Sequence, residues 1–186
     1  MSRHPRLLSR DDTVLVVIDV QEAYRTVLFE YERVARQVAR LLQGAAALAV
    51  PVLITEQYPK GVGATVAEVA AVLPPGVEPI QKMSMSCWGA PAFAEALRAS
   101  GRTQVVIAGI EAHACVNQTA HDLLAAGYQV HVARDATSSR HRDDYALGWE
   151  KMTAAGVVPA SVESALLELL RTAEAPEFKA VQRIIK

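Results

Sequence analysis

Residues 105–116 read VVIAGIEAHACV. A run of β-branched and small residues delivers the chain to Gly109. A few residues later Cys115 opens what reads as a helix over residues 115–126, stopped by Gly127. A strand over residues 104–108, a turn and a helix make half of a βαβ unit, and the same pattern recurs on both sides.

Upstream, residues 14–19 (VLVVID) are apolar until the closing acid, as a strand covered on both faces should be. Residues 29–50 carry apolar side chains at helical spacing and end before Pro51. A second strand over 52–55, a loop EQYPKGVGAT, a short helix over 66–73, a third strand over 79–82 and a helix over 91–99 follow. Downstream come a strand over 128–133, a helix over 143–155, a strand over 157–159 and a helix over 161–170. Six strands alternating with helices predict an α/β fold: one domain over residues 1–186, with a mostly parallel, doubly wound six-stranded sheet and helices on both faces. In such a sheet ligands bind beyond the carboxyl ends of the strands, near the switch in strand order. Asp19, Lys82 and the turn from Gly109 to Cys115 all fall at that edge.

Composition narrows the function classes. Of 186 residues, 51% are hydrophobic and 21% charged, with a net charge of -1 from 19 Lys+Arg and 20 Asp+Glu. No basic stripe gathers, so a nucleic-acid partner is not expected. No apolar run is long enough for a secretory leader or a membrane span, and a cytoplasmic protein with Cys87 and Cys115 as free thiols is expected. No histidine pair has HExxH spacing and no cysteine pair CxxC spacing, so no metal site is expected. GVGAT at residues 61–65 lacks the glycines and lysine of a nucleotide cradle, so no nucleotide cofactor is expected either.

Cys115 is the candidate nucleophile. Its ordinary pKa is about 8.5, and a helix N-terminus together with the Lys82 ammonium would favour the thiolate. Asp19 is placed to take the thiol proton and return it to a leaving amine. Backbone N–H groups around Ala112 and Cys115 are candidates for an oxyanion hole. His113 competes as a Cys–His partner, although residues two apart on a helix do not face each other. Tyr24, Tyr58 and Trp88 are candidate walls of a small-molecule pocket, with core or subunit interface as the other reading of Trp88. Arg134, Asp135 and the following ATSSR read as residues that fix loop structure.

The segments VLVVIDVQE, TEQYPKGVGATV, QKMSMSCW and AGIEAHACVNQTAHDLLAAGYQVHVARDATSSR resemble the isochorismatase-like cysteine hydrolase superfamily over nearly the whole chain. With the terminal EFKAVQRIIK, they look most like its isochorismatase-domain-containing subgroup, whose substrate is open. The resemblance implies a three-layer α/β sandwich with an Asp–Lys–Cys triad, here Asp19, Lys82 and Cys115. It also implies a cis peptide at Ile110–Glu111 that turns the backbone N–H groups of Glu111 and Cys115 into the oxyanion hole. His113 joins the candidate pocket residues.

Two departures matter. Nicotinamidases of the superfamily hold a metal with an Asp/His cluster after strand two, and EQYPKG supplies no histidine. True isochorismatases have no cysteine at the nucleophile position. The expected function is a metal-independent cysteine hydrolase, without cofactor, cleaving a C–N bond of a small molecule through a covalent Cys115 intermediate. The alternative is a thiol-sensing or non-catalytic protein of the same fold acting through its interfaces. A homo-oligomer is expected, with residues 177–186 as an amphipathic interface segment.

Overall fold

The computed structural model describes residues 3–186. Six strands, β1 (Thr13–Ile18), β2 (Val52–Gln57), β3 (Ile80–Lys82), β4 (Gln104–Ile110), β5 (Gln129–Ser138) and β6 (Val158–Ala160), form one sheet in the order β3-β2-β1-β4-β5-β6. Every pairing between neighbours is parallel. Strand order reverses between β1 and β4, where a doubly wound sheet opens its ligand crevice.

The helices are α1 (Tyr31–Ala47), α2 (Pro59–Val62), α3 (Ala67–Ala70), α4 (Pro91–Ala99), α5 (Asn117–Ala125), α6 (Arg142–Ala155), α7 (Val162–Leu170) and α8 (Phe178–Ile185). Period-two alternation divides the core between two faces. Leu15 and Val17 of β1 pack with Val34, Val38 and Leu42 of α1, Leu166 of α7 and Val181 of α8. Val14, Val16 and Ile18 point the other way, onto Phe93 and Leu97 of α4, Leu123 of α5 and Met152 of α6.

Several elements differ from the sequence reading, and four of the differences have a physical reason that bears on the site or the surface. Strand β2 continues through Glu56 and Gln57, and β5 runs on to Ser138. Both extensions are polar, because strand ends that face a polar site no longer need an apolar run. A π-helical turn, Ala112–Val116, starts the helical path before α5, so Cys115 sits inside that turn instead of opening a helix. Phe178, Val181, Ile184 and Ile185 of α8 pack onto the chain's own core, so the apolar face expected at an interface is used internally.

The stretch that decides the fold is sterically tight. Gly109 has φ of +114°, and a Cβ there would lie 2.1 Å from the Ile18 carbonyl oxygen on β1. Gly109→Ala is expected to cost about 3 kcal/mol or more, read as a lowered urea or thermal midpoint. An unchanged midpoint would contradict this packing of β4 on β1.

Candidate active site

Asp19 is the first residue beyond β1, and its φ of 53° turns the chain out of the sheet, a conformation Asp tolerates better than most residues. Its Oδ1 accepts a hydrogen bond from Thr55 Oγ1 at 2.7 Å, and Oδ2 lies 2.7 Å from Lys82 Nζ. This ion pair is buried, with side-chain exposures of 3% for Asp19 and 0% for Lys82. Such a pair persists only when further polar partners compensate its lost hydration.

The compensation comes from strand register. Gln57 lies directly opposite Lys82 across β2 and β3, and its Oε1 accepts from Nζ at 2.7 Å. The Ser84 and Met85 carbonyls accept from the same ammonium at 3.2 and 3.1 Å. Gln57 Nε2 donates to the Met83 carbonyl, and the Gln57 backbone N–H donates to Gln21 Oε1. The three protons of Lys82 are thereby committed to protein acceptors, which leaves none for a ligand. Burial is the largest influence and works against the ammonium, yet the Asp19 carboxylate together with the Cys87 and Cys115 sulfurs holds the Lys82 pKa above its ordinary value.

Cys115 lies within reach of this pair, buried on the α4–α6 side of the sheet, with Met85 Sδ 4.0 Å from its sulfur. Burial first, and then the negative charge of Asp19, push its thiol up to about 12. Lys82 works in the other direction and offsets part of this rise. The expected thiolate is therefore corrected to a neutral thiol beside a carboxylate. Cys87 is buried behind the site, its sulfur 3.7 Å from Thr55 Oγ1, and burial pushes its thiol up to about 11. Both cysteines are free.

The Ile110–Glu111 peptide is cis. Glu111, buried and at the start of the turn that carries Cys115, accepts through Oε1 from the Arg140 backbone N–H at 2.9 Å and from Arg140 Nε at 3.1 Å. His113 Nδ1 is 3.0 Å from Ser139 Oγ, so its ring is tied to the strap after β5. Helix α6 presses on the same turn, where a Cβ on Gly148 would meet His113 Cα at 2.8 Å.

The remaining aromatic candidates separate. Half-buried Tyr24 lies in the field of Glu111, Cys115 and Arg140, and burial, then Glu111, raises its pKa. Tyr58 is 47% exposed and borders a shallow cleft with Lys60, Gln81 and Met83, on the Lys82 side. Trp88 packs against Tyr128 and Arg98. A wider cleft of about 740 Å³, lined by Phe29, Arg33, Arg134, Arg142 and Tyr145, contains none of Asp19, Lys82 and Cys115. Among the described residues, no three His, Cys, Asp or Glu side chains gather to hold a metal ion, and no helix is long and apolar enough to cross a membrane.

Gln57, Thr55 and Met85 escaped the sequence reading as site residues, and Arg140 reads there only as part of a loop-fixing segment. The signal for the first two was their i, i+2 spacing, which sets both on one face at the carboxyl end of β2.

Residues 13–164 match the model of the Isochorismatase domain. This chain belongs to the isochorismatase family. It is 38% identical over 178 residues to isochorismatase domain-containing protein 2 of Danio rerio, covering 96% of this chain and 89% of that protein. It is 41% identical over 174 residues to isochorismatase domain-containing protein 1 of Salmo salar, covering 94% of this chain but 61% of that one. A structure described as the MAR1 ribonuclease of Caenorhabditis elegans superposes with a TM-score of 0.92 at 34% identity, covering 96% and 92% of the two chains. The YcaC gene product of Escherichia coli, described as an octameric hydrolase of unknown specificity, shares the fold with a TM-score of 0.89 at 22% identity, covering 98% and 92%. The isochorismatase-family hydrolase fold frames the site.

Two outcomes test its electrostatics. Asp19→Asn removes a charge that raises the thiol, so Cys115 should titrate at lower pH than in the unmodified protein; thiolate ultraviolet absorbance across an alkaline titration, with Cys115→Ser as blank, reads the shift. Lys82→Met strands a buried carboxylate and should cost about 3–5 kcal/mol in urea unfolding, with much of the loss recovered in the Asp19→Asn/Lys82→Met double variant.

Proposed function

We propose that this isochorismatase-family chain is a cysteine hydrolase that cleaves a C–N, amide-type bond of a small molecule through a covalent Cys115 intermediate. The observation that supports the reading is the buried Asp19–Lys82 ion pair, its lysine saturated by protein acceptors, at the strand edge that also carries the buried Cys115. A thiol with so high a pKa needs its proton removed as it attacks, and Asp19 is the acceptor within reach.

In the proposed reaction Cys115 Sγ adds to the amide carbonyl carbon as its proton passes to Asp19. The backbone N–H groups of Glu111 and Cys115 stabilise the oxyanion. On collapse the C–N bond breaks, the electron pair leaves with the amine, and protonated Asp19 supplies its proton. Asp19 then takes a proton from water as the water oxygen attacks the thioester carbon; the C–S bond breaks, its electron pair leaves with sulfur, and Asp19 passes the proton to Sγ, which restores the thiol and the carboxylate and releases the acid. Lys82 donates to no substrate atom; it orients Asp19 and offsets the charge moving through the site. Tyr24 borders the approach, and the reaction calls on neither metal nor cofactor.

A sensing thiol is the weaker reading, because oxidation follows thiolate character and this environment favours the protonated form. We carry self-association forward within the same proposal, to be read by sedimentation. The test is a screen of small amides, with RNA included because the Caenorhabditis elegans neighbour is described as a ribonuclease. Turnover of an amide should fall by about a thousandfold or more in Cys115→Ala, with a Cys115 acyl adduct visible by mass spectrometry. Full activity of Cys115→Ala, or Cys115-dependent cleavage of RNA alone, would overturn the proposal.

A further inference from the structure

The strap after β5 ends in a cation whose recognition edge is unused. Arg140 gives its backbone N–H and Nε to Glu111 Oε1, and Glu111 is 6% exposed while the Arg140 side chain is 51% exposed. Among the described residues, neither terminal guanidinium nitrogen donates to a protein acceptor. The Ser139–His113 contact ties the preceding residue of the strap to the turn that carries Cys115. The guanidinium is thus fixed through Nε, with its end-on pair of N–H donors left without a protein acceptor on a half-exposed side chain held against the turn that carries Cys115. Its neighbours there are Tyr24, whose hydroxyl lies in the fields of both Cys115 and Arg140, and Asp144 of α6.

We infer that Arg140 is a substrate-binding residue whose two free N–H groups receive a carboxylate, so that the amide cleaved at Cys115 belongs to a small molecule bearing an anionic carboxyl group. This deepens the cysteine-hydrolase reading and rests on it. Asp19 is matched with Lys82 and Glu111 with the Nε edge of Arg140, while Asp144 acts on Arg140 without a hydrogen bond to it. What remains unfilled is the planar two-donor fork, and its geometric complement is the paired oxygens of a carboxylate.

The test compares two alkylating reagents of one size and one mechanism, iodoacetate and iodoacetamide. In each, the Cys115 sulfur bonds to the methylene carbon, iodide leaves with its electron pair, and the thiol proton is released. Rates at Cys115 are followed by peptide mapping, so labelling at Cys87 is counted separately. The iodoacetate-to-iodoacetamide ratio should exceed that of free cysteine by about tenfold and fall back to it in Arg140→Gln. Both rates are read on one variant, so a general loss of reactivity cancels. Arg140→Lys keeps a countercharge for Glu111 if glutamine compromises folding, and without the fork it should lower the ratio by about threefold. A wild-type ratio no higher than that of free cysteine, or one unchanged in these variants, overturns the inference and leaves the nucleophile standing. Absence of alkylation by either reagent removes the nucleophile and the inference together.

Discussion

The buried Asp19–Lys82 ion pair is the constraint around which the functional edge is arranged. Two charges removed from water cost several kcal/mol each unless geometry and further hydrogen bonds compensate. Here β1 supplies the carboxylate, β2 supplies Thr55 and Gln57, and β3 supplies the ammonium. The segment after β3 bends so that two of its carbonyls face Nζ, and this bend brings Met85 over the sulfur. Strand order 3-2-1-4 lets one pair organise three strand ends and still face the Cys115 turn after β4.

On the other side of the switch in strand order a second pair has a similar part. Glu111 follows β4, Arg140 follows β5, and their contact with the Ser139–His113 contact fixes the Cys115 turn from outside. Helix α6 closes it from below, through a glycine that leaves no room for a side chain. Cys115 is therefore held between two compensated pairs, on elements whose own positions are set by β-sheet register.

Much of this edge was legible in the sequence, and for a stated reason. A strand buried on both faces, as β1 is, is written almost wholly in apolar residues, so the acid that follows it, Asp19, stands out; Lys82 ends the short edge strand β3 and is legible only as a charge at the same carboxyl edge of the sheet. The same rule hid Gln57 and the end of β5. Polar residues there belong to strands, but they read as loops because the site, not the core, takes their side chains. Arg140 was grouped with loop-fixing residues, and one of its edges does fix the strap; no pattern in ATSSR tells how many guanidinium donors remain free. The ionisation of Cys115 was unreadable because it depends on burial and on the side from which Asp19 approaches. A helix start favours a thiolate only if the sulfur lies outside a desolvated pocket beside a carboxylate.

That reversal fits the rest of the site. With Asp19 matched by Lys82 and Glu111 by Arg140, a resting thiolate would be a third, uncompensated negative charge in a buried setting. Keeping the proton on sulfur avoids it. In the proposed reaction the site then holds one mobile negative charge throughout. That charge begins on Asp19 and moves to the substrate oxygen as the proton crosses from sulfur to carboxylate. Lys82, with every proton committed, stays where it is while the charge beside it moves. A lysine so fixed needs no reorganisation as the transition state forms, which is the condition under which a buried charge contributes most to catalysis.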